Sequence, residues 1–120
     1  METILCVDAD DSLLRLYREE LSDEGYKVIL AKNGKEALAK LEKEKPQVAV
    51  MDIRMPVMDG IQTLAATMSK DRQVKVILNT AYPKHKENFK TWRAEAYVMK
   101  SSNITELKQK IQEVLERQNN

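Results

Sequence analysis

Cysteine is almost absent: Cys6 stands alone in 120 residues. One thiol cannot make an internal disulfide, so no disulfide framework holds this fold. Set inside an apolar run, Cys6 reads as a buried thiol with no chemistry of its own. An excess of charge is absent too, since 20 Lys and Arg face 19 Asp and Glu. That balance gives no electrostatic footing for a nucleic-acid or membrane surface, and partners must be recognised locally. No apolar run approaches the roughly 20 residues that span a bilayer, and the N-terminus METILCVD lacks the basic region and cleavage site of a signal peptide. A cytoplasmic location is the expectation. The sole histidine, His85, sits in polar PKHKEN and reads as an exposed residue rather than a metal or phosphorelay group. Repeats, low-complexity tracts and linkers are missing, so residues 1–120 read as one domain.

What the chain does contain is five short apolar runs: TILCV (3–7), KVILA (27–31), QVAVM (47–51), VKVIL (74–78) and AYVM (96–99). Continuous Val, Ile and Leu without strict alternation suit parallel strands covered on both faces. Helical spacing fills the gaps. Leu13, Leu14, Leu16, Tyr17 and Leu21 mark a first helix, Ala37, Leu38 and Leu41 a second, and Ile61, Leu64, Ala65 and Met68 a third. A weaker pattern surrounds Phe89 and Trp92, and Ile104, Leu107, Ile111, Val114 and Leu115 line a last helix, with Asn103 and Glu106 as a capping pair. Asn-Gly in KNGK (32–35) could announce a hairpin, but the helical period after it predicts a strand-to-helix turn. Strict alternation of strand and helix gives an α/β, doubly wound, flavodoxin-like (βα)5 domain with a parallel sheet ordered 2-1-3-4-5.

In such a sheet ligands bind outside the carboxyl ends of the strands, where the strand order reverses. The first strand runs into Asp8, the third into Asp52, the fourth into Asn79 and Thr80, and the fifth into Lys100. Each has an ordinary reading alone: a helix cap, a turn residue, a solvated charge. Converging at four of five strand ends, they read as one crevice. Neighbouring carboxylates repel unless a cation neutralises them. Oxygen ligands with room for retained water suit Mg²⁺, which commonly shares its shell with phosphate oxygens. That combination points to phosphoryl chemistry, with a carboxylate nucleophile and a lysine to offset charge. No glycine-rich phosphate loop follows the first strand, which opposes a nucleotide or flavin site.

The stretch VAVMDIRMPVMDG (48–60), preceded by VDADD and followed by NTAY and YVMK, resembles the response-regulator receiver domain of two-component signal transduction. The resemblance covers almost the whole chain. It implies a regulatory phosphoprotein rather than a conventional enzyme, whose Asp52 takes a phosphoryl group from the phosphohistidine of a sensor histidine kinase or phosphotransfer protein, with Mg²⁺, and which promotes its own phosphotransfer and dephosphorylation. Asp8 then belongs to the metal cluster, and the backbone carbonyl of Arg54 supplies another ligand. Thr80 hydrogen-bonds the phosphoryl group, Tyr97 turns inward as Thr80 moves, and Lys100 pairs with phosphoryl oxygens. The switched surface comprises the fourth helix, fifth strand and fifth helix, and it addresses an output domain, an effector protein or a phosphorylation-dependent homodimer. Either this is a stand-alone receiver or ERQNN precedes further chain.

Two positions depart from that pattern. Receivers usually carry two adjacent acids after the first strand, and here the second place is Ala9. The metal site is expected to be functional but weaker, with Asp10 or water in the vacated position. Ser101 stands where the family commonly has a cis proline, and a cis bond there would cost about 2.5–4 kcal/mol, so the path after Lys100 is expected to differ.

Two other readings compete. VDADDSLL also resembles the first motif of haloacid dehalogenase-type phosphatases, with Asp8 as nucleophile and Asp10 as acid/base. The chain is short for that family, its later acidic motif is missing at the expected spacing, and MDIRMPVMDG would be left unexplained. A receiver-like binding module that works without phosphorylation would be signalled by an Asp52→Asn variant that alters neither partner binding nor oligomeric state. In the receiver reading, Asp11 or Ser12 caps the first helix.

Overall fold

Runs of aliphatic and β-branched residues form strands here because they bury their faces in one sheet, almost completely over 3–7 and 48–51 and partly at the edge run 27–31. The computed structural model describes residues 2–52, 74–80, 95–99 and 104–118. Along them lie β1 (Thr3–Val7), α1 (Asp11–Asp23), β2 (Lys27–Ala31), α2 (Gly34–Glu44), β3 (Val48–Met51), β4 (Lys75–Thr80), β5 (Ala96–Met99) and a last helix labelled α3 (Thr105–Gln118). The strands make one sheet ordered β2-β1-β3-β4-β5, every pair parallel. This is the expected doubly wound order. The third helix expected over Ile61–Met68, the weaker one around Phe89 and Trp92, and the capping residue Asn103 lie outside the described residues.

Period-two alternation sorts the strand side chains into two cores. On one face Ile4, Cys6, Val48, Val50, Ile77 and Val98 join Leu14, Tyr17 and Leu21 of α1 and Leu107, Ile111 and Val114 of α3. On the other, Leu5, Val7, Ala49, Met51, Val76 and Leu78 join Ala37 and Leu41 of α2. Each such aliphatic side chain contributes roughly 1.5–3 kcal/mol when fully buried. Helices therefore cover both faces, and β1 lies between the strand formed after α1 and the strand formed after α2. The winding reverses at β1, which opens a crevice between β1 and β3 at their carboxyl ends.

The helix ends are set by local chemistry. At the end of α1, the Gly25 amide donates to Ser22 O at 2.9 Å and the Tyr26 amide to Leu21 O at 3.3 Å. That closing turn needs a positive φ, which Gly25 supplies at 95° without the crowding that a Cβ brings. KNGK turns from strand to helix as its period predicts. Asn33 caps α2, its side chain accepting from the Glu36 amide at 2.9 Å, and Gly34 is already helical. Lys108 of α3 reaches α1 with Nζ 2.9 Å from Glu20 and 3.4 Å from Glu24, joining the two helices across one face of the sheet.

Candidate functional site

The ladder runs one residue past β1 and β3. The Asp8 amide donates to Ala31 O at 3.1 Å, and the Asp52 amide donates to Val7 O at 3.0 Å. Val7 is in register with Met51, and Met51 with Leu78. One step further along the same ladder stand Asp8, Asp52 and Asn79, side by side on three adjacent strands. Alternation places their side chains on the face of Cys6, Val50 and Ile77, under α1. All three are buried, at 2%, 7% and 3% exposure. Two of the sequence-predicted carboxylates thus meet at the point where the winding reverses.

Asp10 has a different place. Its backbone is extended, and its Oδ1 accepts from the Ser12 amide at 2.9 Å and the Leu13 amide at 3.3 Å. Asp10 is therefore the N-cap of α1, which corrects the expectation that Asp11 or Ser12 fills that role. Both lie inside the helix, and Asp11 instead pairs with Lys32 at 3.2 Å on the surface. The backbone also ties this turn to the buried acid, since the Asp10 amide donates to Asp8 Oδ1 at 2.9 Å. Among the described residues, no three His, Cys, Asp or Glu side chains gather as a metal-holding group.

Thr80 closes β4 opposite Met99, and Tyr97 of β5 is in register with Leu78. Arg54 and Lys100 lie outside the described residues, as does the Ser101 bond. One contact at the site was not anticipated. Asn79 Nδ2 donates to the Tyr17 hydroxyl at 2.6 Å, in the buried space between β4 and α1. An asparagine ending the apolar run VKVIL and a tyrosine among the leucines of α1 were its only sequence signals.

Cys6, two residues before Asp8 and wholly buried, has its thiol pushed up to about 12 from 9.0, first by burial and then by the negative charge of Asp8. The folded state therefore holds the proton more tightly than the unfolded state, so stability is unaffected below pH 9.0 and falls as pH rises from 9.0 towards about 12. Native protein is expected to leave Cys6 unlabelled by a thiol reagent at pH 8 until denaturant is added. Fast native labelling would contradict its burial.

Residues 4–112 match the model of the response regulator receiver domain. The chain belongs to that family. This receiver domain is 36% identical over 117 residues to Regulatory protein AtoC of Escherichia coli (strain K12), a match covering 96% of the chain and 25% of AtoC. It spans between a quarter and about a half of the length of the first curated relatives it matches. Among solved structures it is similar to the receiver domain protein (CheY-like) of Methanospirillum hungatei JF-1, with TM-score 0.93, 34% identity and coverage of 99% of this chain and 97% of the other. It is also similar to response regulator TrrA of Thermotoga maritima in complex with Mg²⁺-BeF, with TM-score 0.88, 37% identity and coverage of 95% and 99%. TrrA has also been solved in complex with the histidine kinase ThkA, and that copy matches at TM-score 0.87 and 37% identity over 96% of this receiver and 99% of TrrA. Receiver domains are regulatory signalling modules of two-component systems, which agrees with the reading from sequence. No helix among the described residues is long and apolar enough to cross a membrane.

Proposed function

We propose that residues 1–120 act as one cytoplasmic receiver domain that accepts a phosphoryl group on Asp52 from the phosphohistidine of a sensor kinase or phosphotransfer protein. The observation carrying this reading is the placement of Asp52, 7% exposed at the carboxyl end of β3 and next to Asp8 across the crevice. The likeness to TrrA, solved with Mg²⁺-BeF and with a histidine kinase, supports both the chemistry and the partner.

A carboxylate oxygen of Asp52 attacks phosphorus, the phosphorus–nitrogen bond of the donor breaks, and the released imidazole nitrogen keeps the electron pair and takes up a proton. Two buried acids one strand apart are hard oxygen donors of like charge, a donor set that fits Mg²⁺ and disfavours soft metals. Asp8, Asp52 and the Arg54 carbonyl would hold the ion, with water at the position Ala9 leaves open, because Asp10 is engaged at the α1 cap. When bound, Mg²⁺ supplies charge neutralisation for the paired carboxylates and the incoming phosphoryl oxygens. Lys100 offsets the remaining phosphoryl charge, and Thr80 donates a hydrogen bond to the group once it forms. Tyr97 follows Thr80 inward, changing the surface around β5 and the helices beside it for an output domain, an effector or a second receiver.

Exposure to acetyl phosphate and Mg²⁺, followed by peptide mass mapping, tests the assignment. A phosphoryl adduct is expected on Asp52 and is expected to vanish in Asp52→Asn. An adduct on Asp8 with Asp52 unmodified would overturn it in favour of a phosphatase-like nucleophile.

A further inference from the structure

The Tyr17–Asn79 pair has no part in the chemistry above, yet it is buried between β4 and α1. Tyr17 is 2% exposed and Asn79 is 3% exposed, and the 2.6 Å bond between them spans 62 residues of chain. Burying an amide and a phenol brings little net stability, because each gives up water to gain the other. A phenylalanine facing a leucine would fill the same space with no polar group to satisfy. The pair instead supplies direction: one specific donor near the end of β4 must meet one specific acceptor on α1.

That donor stands beside the acceptor aspartate. Asn79 is one strand over from Asp52 on the same face, roughly 4.8 Å away along the hydrogen-bonding direction of the sheet, and its next neighbour in β4 is Thr80. We infer that Tyr17 and Asn79 are positioning residues for the Asp52 site. Through this bond, α1 holds the carboxyl end of β4 at the distance from Asp52 at which an entering phosphoryl group is met. The inference rests on Asp52 being the acceptor. It adds that α1, which also carries the Asp10 cap beside Asp8, controls both walls of the crevice from one rigid element.

The probe is beryllofluoride with Mg²⁺, titrated into the full chain and followed by nitrogen-15 NMR. The side-chain amide pair of Asn79 is identified by its loss in Asn79→Leu. In wild type this pair is expected to shift on saturation, and Tyr17→Phe is expected to weaken beryllofluoride binding about 2- to 10-fold, the value of one hydrogen bond. Should Tyr17→Phe not fold, the apolar pair Tyr17→Phe with Asn79→Leu removes the polar groups together. Its expected result is wild-type stability with binding still weakened. An unmoved Asn79 amide, or wild-type affinity in whichever of these two variants folds, would overturn the inference. Asp52→Asn separates the two levels: if it still binds beryllofluoride, the acceptor assignment itself is wrong.

Discussion

Ala9→Asp is expected to bind Mg²⁺ at least about tenfold more tightly than wild type, the low end of what a single supporting group contributes at a metal centre. The reason lies in how the β1–α1 turn distributes its acids. Asp8 is buried beside Asp52, whereas Asp10 is held by the Ser12 and Leu13 amides at 2.9 and 3.3 Å. Moving Asp10 towards a cation would uncap α1, a loss of about 0.5–2 kcal/mol. Ala9, exposed between them, is the position from which a new carboxylate can be added without that loss. The same substitution brings a third negative charge near two buried ones, so the metal-free variant should melt below wild type. Added Mg²⁺ should then raise its Tm more steeply, as mass action requires of a tighter ligand. Asp8→Asn should move the other way, losing at least about tenfold in Mg²⁺ affinity. Calorimetric titration and Mg²⁺-dependent melting measure both. An unchanged affinity in Ala9→Asp would place residue 9 away from the cation.

The sheet was legible because its signals are local and repeated. Each of TILCV, KVILA and AYVM coincides with a strand end to end, since apolar runs of four or five residues bounded by polar ones are too short for a helix and suit a strand. The edges moved where pairing extends beyond apolar residues. β4 continues through Asn79 and Thr80 because β5 offers them partners in Val98 and Met99. Asp8 and Asp52 were readable as strand-end acids. That they are neighbours followed only from the strand order, which places β1 against β3 rather than β4. The cap of α1 was misread by one or two residues, because in ADDS three consecutive side chains can all cap and only the backbone angle at Asp10 decides which does. The Tyr17–Asn79 bond was beyond reach of any pattern. Its partners lie on different elements, and the sequence of either resembles an ordinary apolar run with one polar end.

The largest loss of stability is expected from Ile111→Ala, about 2–5 kcal/mol by chemical denaturation. Ile111 is 0% exposed and sits in the cluster that holds α3 to Ile77 and Val98, so truncation leaves a cavity between helix and sheet. Such a cavity cannot close easily, because Leu107, Val114 and Leu115 of the same helix are packed in the same cluster and hold α3 in place. Against a total of roughly 5–15 kcal/mol for a domain of this size, the loss would leave the fold marginal. The effect should also reach the crevice, since Asp8, Asp52 and Asn79 lie on the face that α1 and α3 share. Leu41→Ala empties a site between α2 and the opposite face of the sheet and serves as the control. If the two variants are brought to equal stability with a neutral osmolyte, Ile111→Ala should still bind beryllofluoride more weakly than Leu41→Ala. A stability change under about 1 kcal/mol for Ile111→Ala would mean that α3 does not depend on this contact.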